Sequence, residues 1–129
     1  MKWIKVFSVF VILHVLMWLG AHTYKSISPT KVLVGVDTSF AMTEQFPAMQ
    51  QWIADYEREA RYESITVVTD KEAIGEFSEL SSLDTIFRSA FGLSDASNFE
   101  KYENQPHSKR FLLSDGRFVK QGWELVRFE

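Results

Sequence analysis

Cysteine is absent from the 129 residues of this chain. Disulfide bonds, cysteine-ligated zinc sites and cysteine nucleophiles are therefore excluded. The sequence also has no glycine-rich phosphate loop, no internal repeat and no low-complexity segment. Lysine and arginine number 14 against 17 aspartates and glutamates, and two of the lysines, Lys2 and Lys5, stand at the extreme N-terminus. The rest of the chain is therefore acidic, and we expect no nucleic-acid partner.

Charge is also absent from a long apolar stretch between Val6 and Tyr24. A helix of this length rises about 28 Å, close to the hydrocarbon thickness of a bilayer of about 30 Å. We predict that residues 1–25 form a transmembrane anchor, with residues 6–24 in the membrane. Trp18, His22 and Tyr24 are expected at the level of the lipid headgroups.

A cleaved signal peptide is the alternative to an anchor. Signal peptides end in small residues at the cleavage site, and Leu19–Thr23 matches that requirement poorly. Lys2, Lys5 and the amino terminus favour a cytoplasmic N-terminus. We therefore predict a single-pass membrane protein whose C-terminal domain lies outside the cytoplasm.

Residues 26–31 are predicted to be a short linker, and residues 32–129 a single small domain. Apolar residues at helical spacing predict a helix from about Thr43 to Tyr62 and a second helical segment over Ile86–Phe91 that ends at Gly92. Ser94-Asp95 is expected to cap a short helix that runs to about Asn104. Two short strands are expected in the tail, at Phe118–Val119 and Trp123–Phe128.

Three hydrophobic runs are predicted to be strands, and each ends in an aspartate: Val32–Val36 before Asp37, Ile65–Thr69 before Asp70, and Phe111–Ser114 before Asp115. Strands that alternate with helices indicate an α/β domain with a mostly parallel sheet. In such a sheet the three carboxylates gather at the carboxyl ends of the strands, where open α/β folds bind ligands. Carboxylates and hydroxyls are ligands that suit Mg²⁺.

Four segments resemble a known family. Asp37-Thr38-Ser39-Phe40-Ala41-Met42 is similar to the Asp-x-Ser-x-Ser-Met opening of von Willebrand factor A (VWA) domains. Three later segments resemble later parts of that family in the same order. They are the second strand with its following hairpin (Ile65–Phe77), the loop Leu83–Phe87, and the strand end Leu113–Gly116. The resemblance covers residues 31–116 and implies a shortened, three-layer, Rossmann-like VWA domain.

The resemblance also implies a metal-ion-dependent adhesion site. Ser39 would bind Mg²⁺ directly, Thr85 directly or through water, and Asp37 and Asp115 from the inner or second shell. The motif's second serine is replaced by Ala41, which removes one direct ligand and makes the site degenerate. Without a metal, Ser39 and Thr85 would act as helix N-caps, and the two aspartates would cap turns at strand ends.

A second resemblance is to PIN-type metal-dependent nucleases. Residues 34–39 are similar to the start of those enzymes, and residues 112–118 to their late strand-and-aspartate segment. That alternative requires Glu79, Asp95 and Asp115 to join Asp37 around Mg²⁺, where the metal would activate water.

The function predicted from the sequence is non-catalytic, and no residue is assigned to catalysis. We expect a membrane-anchored protein–protein interaction module, a small subunit or assembly factor whose partners are other subunits of a membrane complex. In a metal-dependent form, Mg²⁺ at Asp37, Ser39, Thr85 and Asp115 would bind an acidic side chain of the partner. In a metal-free form, the same loops would be ordinary structure.

Overall fold

The computed structural model describes residues 1–88 and 90–129. A long N-terminal helix precedes an α/β domain built on one five-stranded sheet. The regular elements, in chain order, are α1 (Lys2–Ile27), β1 (Thr30–Val36), α2 (Phe46–Glu59), β2 (Glu63–Thr69), β3 (Ala73–Glu76), β4 (Lys109–Ser114) and β5 (Glu124–Arg127). Short 3-10 helices cover Phe40–Gln45, Phe77–Glu79, Leu83–Phe87 and Ala96–Tyr102.

The sheet has the strand order β3-β2-β1-β4-β5. Strand β1 pairs in parallel with both β2 and β4, and β4 pairs in parallel with β5. Only β3 is antiparallel, because a tight connection returns the chain beside β2. The predicted, mostly parallel α/β sheet is therefore confirmed. After β1, the chain first adds β2 and β3 on one side of that strand and later adds β4 and β5 on its other side. The direction of strand addition therefore reverses between β1 and β4.

Apolar residues cover both faces of the sheet. On one face, Val32, Val34 and Val36 of β1 pack with Met49 and Ile53 of α2. On the other face, the cluster combines alternate strand residues with aromatic residues from the C-terminal half: Leu33, Val68, Phe99, Tyr102, Leu112 and Trp123. The nearly continuous apolar run of β1 follows from this arrangement, because a strand covered on both faces has no polar side.

The helix predicted from about Thr43 to Tyr62 is present, although its ends differ. It begins with the 3-10 helix Phe40–Gln45 and continues as α2 to Glu59. Trp52 of α2 packs against the core. Its ring stacks on Tyr56 with centroids 5.3 Å apart and meets the edge of Phe111 at 5.5 Å.

Two local predictions are wrong. Of the helix expected over Ile86–Phe91, in which residue 89 lies outside the described residues, the described part shows only the 3-10 helix Leu83–Phe87, and Phe91 is exposed rather than on a buried helical face. In the tail, Phe118–Val119 is not a strand, and a single strand, β5, forms within Trp123–Phe128. The expected cap before the last helical segment is confirmed, since Asp95 forms a capping box with Asn98 at the 3-10 helix Ala96–Tyr102.

Helix α1 is long and apolar enough to cross a membrane by length and composition, a test that signal sequences also pass. None of its residues, all of which are described, is buried. The helix continues to Ile27 and β1 begins at Thr30, so the connection is much shorter than the predicted linker at residues 26–31. Little chain therefore separates the helix from the central strand.

Candidate functional site: the rim at the carboxyl ends of the strands

The candidate site lies where β1, β2 and β4 end. We call this site the rim and define it by three segments: Asp37–Ser39, Asp70–Lys71 and Ser114–Arg117. The parallel register brings the ends of the three strands together, with Val36 beside Thr69 of β2 and Leu113 of β4. The rim therefore occupies the point of strand reversal, where α/β folds form ligand-binding crevices.

Asp37 is the central carboxylate of the rim and is fully buried. Its Oδ1 accepts a hydrogen bond of 3.0 Å from the backbone N–H of Ser39, and its Oδ2 accepts one of 2.9 Å from the Ser114 hydroxyl. The Arg117 guanidinium lies 3.7 Å from the same Oδ2. A buried carboxylate requires such partners, because an unpaired charge is costly in the protein interior.

Arg117 joins the other groups of the rim. Its Nη2 donates to the Ser39 hydroxyl at 3.0 Å, and its Nε contacts Asp115 Oδ2 at 2.6 Å. Burial alone would raise the pKa of the Asp115 carboxyl, but hydrogen bonds from the backbone and guanidinium of Arg117 outweigh it. The pKa of Asp115 therefore lies below its ordinary value, and Asp115 is held ionised beside the guanidinium.

Asp70 and Lys71 form a second cation–carboxylate pair at the end of β2. The Lys71 ammonium contacts Asp70 Oδ2, while Asp70 Oδ1 accepts hydrogen bonds from the Thr38 backbone at 3.0 Å and hydroxyl at 2.6 Å. The Lys71 ammonium also lies 3.3 Å from that hydroxyl. These contacts fix the β1 loop to the end of β2, so Asp70 has a structural partner for each oxygen.

The four predicted metal-site residues are only partly brought together. Asp37, Ser39 and Asp115 converge on Arg117, as described above. Thr85 lies half-buried in the 3-10 helix Leu83–Phe87, and no hydrogen bond in the described part of the chain joins its side chain to the other three. Ser39 caps no helix through its side chain, and the N-cap before Thr85 is Ser82.

The oxygens at the rim, as arranged, already have partners from the chain itself. A divalent ion would need the Asp37 and Ser39 oxygens that Arg117 contacts, and the guanidinium would have to leave first. Among the described residues, no three or more His, Asp or Glu side chains are grouped so that they could hold a metal ion. Arg117 and Lys71 supply positive charge at the places where a cation would otherwise be needed.

The carboxylates required by the nuclease alternative lie on separate elements. Glu79 ends the 3-10 helix Phe77–Glu79, and the Asp95 side chain accepts from Ser97 as a helix cap. Those hydrogen bonds lower the pKa of Asp95, which is the ordinary behaviour of a capping carboxylate. The described contacts do not join Glu79 or Asp95 to the rim.

An exposed apolar surface borders the rim, and we call it the aromatic patch: Phe40, Phe91 and Leu93. Their side chains are 76%, 61% and 84% exposed. Two backbone hydrogen bonds join the segments, from Phe40 N to Gly92 O at 3.0 Å and from Phe91 N to Thr38 O at 3.1 Å. The Lys71 ammonium lies 4.9 Å from the centre of the Phe91 ring. The patch is therefore held against the rim by backbone pairing, with its rings facing solvent.

Strand ends in the sequence predict Asp37, Asp70 and Asp115 at the rim, but they do not reveal the two cations, Lys71 and Arg117. A local signal existed for each. Lys71 directly follows Asp70, and Arg117 follows Asp115 at the spacing of a turn in which the aspartate accepts the backbone N–H two residues on, here at 3.0 Å. A search of known protein families, curated proteins and solved structures found no match to this chain.

Proposed function

We propose that this chain is a membrane-anchored, non-catalytic interaction module, a small subunit or assembly factor of a membrane complex. Its partner-binding surface would be the rim with the aromatic patch, in a metal-free form. The observation that carries this proposal is the aromatic patch. Two large rings are held in solvent by backbone hydrogen bonds beside charged groups that already satisfy one another.

Exposed aromatic residues next to a polar surface are typical of protein interfaces, where they supply most of the binding free energy. The internal pairing of Asp37, Asp115 and Arg117 also supports a binding role rather than a chemical one. Every carboxylate of the rim has a cation from its own chain, so none is poised as a base for an incoming substrate.

The position of the patch relative to α1 supports a protein partner rather than the anchor's own bilayer. Helix α1 joins β1 at the amino end of the strand, whereas the patch follows its carboxyl end. The seven residues of β1 span about 20 Å. With α1 as a membrane anchor, N-terminus in the cytoplasm, the patch would project away from the membrane and outside the cytoplasm.

A photocrosslinking amino acid at position 40 or 91 is expected to form a discrete adduct with another protein in native membranes. Val119, which is apolar and 66% exposed but outside the patch, is the matched control position. Once the partner is identified, Phe40→Ser should weaken its binding by about 2 kcal/mol, as truncation of an aromatic anchor does. Equal adducts at positions 40, 91 and 119, or none at positions 40 and 91, would count against the patch as an interface.

Magnesium is expected to leave the thermal unfolding of the full chain unchanged, because the Arg117 guanidinium already contacts the oxygens of Asp37, Ser39 and Asp115. The measurement is the midpoint of unfolding in detergent with and without millimolar Mg²⁺, for the natural chain and for Asp37→Ala. A saturated site would add about 2.7 kcal/mol at a hundred times its dissociation constant. A rise of several degrees that is lost in Asp37→Ala would instead support the predicted metal site at Asp37, Ser39, Thr85 and Asp115.

A further inference from the structure

The opposite edge of the sheet, where β1, β2 and β4 begin, contacts the end of α1. The contact is made by Tyr62, which lies in the turn between α2 and β2. Its hydroxyl is hydrogen-bonded to His22 Nδ1, and its ring lies edge-on to the His22 ring with centroids 5.4 Å apart. The Lys25 ammonium is 5.7 Å from the centre of the Tyr62 ring. A domain residue is thus attached to the helix before the helix ends.

Tyr62 is held in an unusual conformation for this contact. Its φ of 58° is the one positive value at a non-glycine residue in the described part of the chain. Large side chains seldom adopt this left-handed conformation, and where they do, the surrounding structure enforces it. Here the backbone carbonyl of Tyr62 also accepts a 2.7 Å hydrogen bond from Thr30 N, the first residue of β1. The turn is therefore fixed both to the helix and to the strand that follows the helix.

The contact determines how deep the turn would lie if α1 spans a membrane. His22 falls within the predicted span of residues 6–24, at the level expected for headgroups. Because Tyr62 touches His22, the turn must lie at the same level. Tyrosine is among the residues enriched at membrane interfaces. The short connection from Ile27 to Thr30 leaves little chain by which the domain could move away.

Basic side chains surround the junction where the end of α1 contacts Tyr62 of the domain. Lys25, Lys31 and Arg61 are exposed, and among the described residues Lys31 and Arg61 take part in no ion pair. Lys109 begins β4 beside Val32 and is also exposed, although it contacts Glu63 at 2.7 Å.

Acidic groups also lie at this edge. Glu63 is mostly buried and is bonded to Lys109 and Tyr56, so the charges of Glu63 and Lys109 compensate each other. Glu59 is exposed and borders the same hollow as Arg61. Glu57 and Glu76 line an adjoining hollow that Glu63 also borders, and Glu76 accepts a hydrogen bond from Ser64, the neighbour of Lys31 in the sheet. Lys31 and Arg61 nevertheless flank the Tyr62 contact without an ion-pair partner among the described residues.

We propose that this edge, which we call the basic collar (Lys25, Lys31, Arg61 and Lys109), docks on anionic phospholipid headgroups and holds the domain upright on the bilayer. The inference rests on the membrane anchor of the proposed function and adds a second membrane contact, made by the domain itself. Attraction of lysine and arginine to anionic headgroups falls off within about a Debye length, about 8 Å at physiological salt. Lys25, which lies over the Tyr62 ring, and Arg61, the chain neighbour of Tyr62, would be at the headgroup level set by the contact with His22.

The test uses the full chain in nanodiscs of phosphatidylcholine alone or mixed with phosphatidylglycerol. The absence of cysteine allows a single fluorophore at Glu59→Cys, beside the collar, or at Glu44→Cys, beside the aromatic patch. Lipids that carry a quencher on the headgroup should quench the label at position 59 strongly and the label at position 44 little. Phosphatidylglycerol should increase the quenching at position 59.

The charge dependence is tested with Lys31→Gln and Arg61→Gln, and with Lys101→Gln as the matched control at the far edge of the sheet. Each collar substitution should reduce the ratio of docked to undocked domain about fivefold, the equivalent of about 1 kcal/mol per charge, and Lys101→Gln should not. Equal quenching at positions 59 and 44, or quenching at position 59 that does not change when phosphatidylglycerol is added, would overturn the proposal that the collar binds anionic headgroups. Neither result would count against the membrane anchor. A chain that fails to co-purify with nanodiscs of either composition would overturn the anchor and the collar together.

Discussion

Gly35→Ala is expected to lower the free energy of unfolding by about 2 kcal/mol, within the range of about 1–3 kcal/mol for overpacked cores. Gly35 lies near the carboxyl end of β1, and a Cβ there would be 2.7 Å from Cζ3 of Trp123 and 3.1 Å from Cε1 of Phe99. Both rings belong to the buried cluster on that face of the sheet. Because Phe99 is fully buried, the rings cannot move aside without disturbing their neighbours. Urea unfolding of the full chain in detergent, followed by tryptophan fluorescence, measures the loss.

Gly20→Ala is the matched control for that measurement. A Cβ at Gly20 meets no atom within 4 Å, and alanine favours a helix over glycine by about 1 kcal/mol. Because this gain acts within α1 and no clash opposes it, the control should not lower the unfolding midpoint of the domain. If Gly35→Ala also left it unchanged, the packing of Trp123 and Phe99 against β1 would be wrong.

Arg117→Gln is expected to destabilise the domain by about 2 kcal/mol near neutral pH. Removing one partner of a fully buried ion pair costs about 3–5 kcal/mol, and the loss here is smaller because the Arg117 side chain is 41% exposed. Asp37 would keep its hydrogen bonds to Ser39 and Ser114 but lose its nearest cation. Unfolding of the two chains in denaturant, compared at several pH values, gives the difference.

The pH dependence of that difference has a definite sign. The pKa of Asp115 in the folded protein lies below its ordinary value of 3.8, so its stabilising contribution is complete above about pH 4. That contribution is lost as the pH falls through the folded-state pKa. The difference in the free energy of unfolding between the natural chain and Arg117→Gln should therefore be largest near neutral pH and should decrease in acid.

Arg58→Gln serves as the control for charge removal. Arg58 pairs with Asp55 in a pair whose side chains are 73% and 41% exposed, and such surface pairs contribute little. The substitution should change stability by less than about 0.5 kcal/mol at every pH. If Arg117→Gln lowers the free energy of unfolding by no more than Arg58→Gln does, then the Arg117 guanidinium does not stabilise the rim.

The position of the rim could be predicted from the sequence because it depends only on where buried strands end. Val32–Val36 and Phe111–Ser114 are apolar enough to identify as strands, and parallel strands bring Asp37 and Asp115 to the same edge. The identity of the cation could not be predicted in the same way. Arginine side chains are long, and Arg117 reaches back to Asp37 from beyond a turn at Gly116, whose φ is 89°.

The aromatic patch was missed for a different reason. Ile86, Phe87 and Phe91 have the spacing of a helical face, and periodicity alone cannot reveal a competing backbone partner. In the folded chain, Phe91 N bonds to Thr38 O, a residue more than fifty positions earlier. That long-range bond replaces helical pairing and turns the ring outward. Local propensity was overridden by a tertiary contact, and Phe91 became part of the exposed aromatic patch, whereas Ile86 stayed in the core.

The strand order also has a consequence for the timing of folding. β1 is the centre of the sheet, but its second neighbour, β4, begins only at Lys109, more than seventy residues later. At a synthesis rate of about 5–20 residues per second, one side of β1 would lack its partner strand for about 4–15 s. During that interval the apolar run after α1 exposes unpaired backbone groups. We expect that edge of β1 to be open to pairing with other strands until β4 has been made.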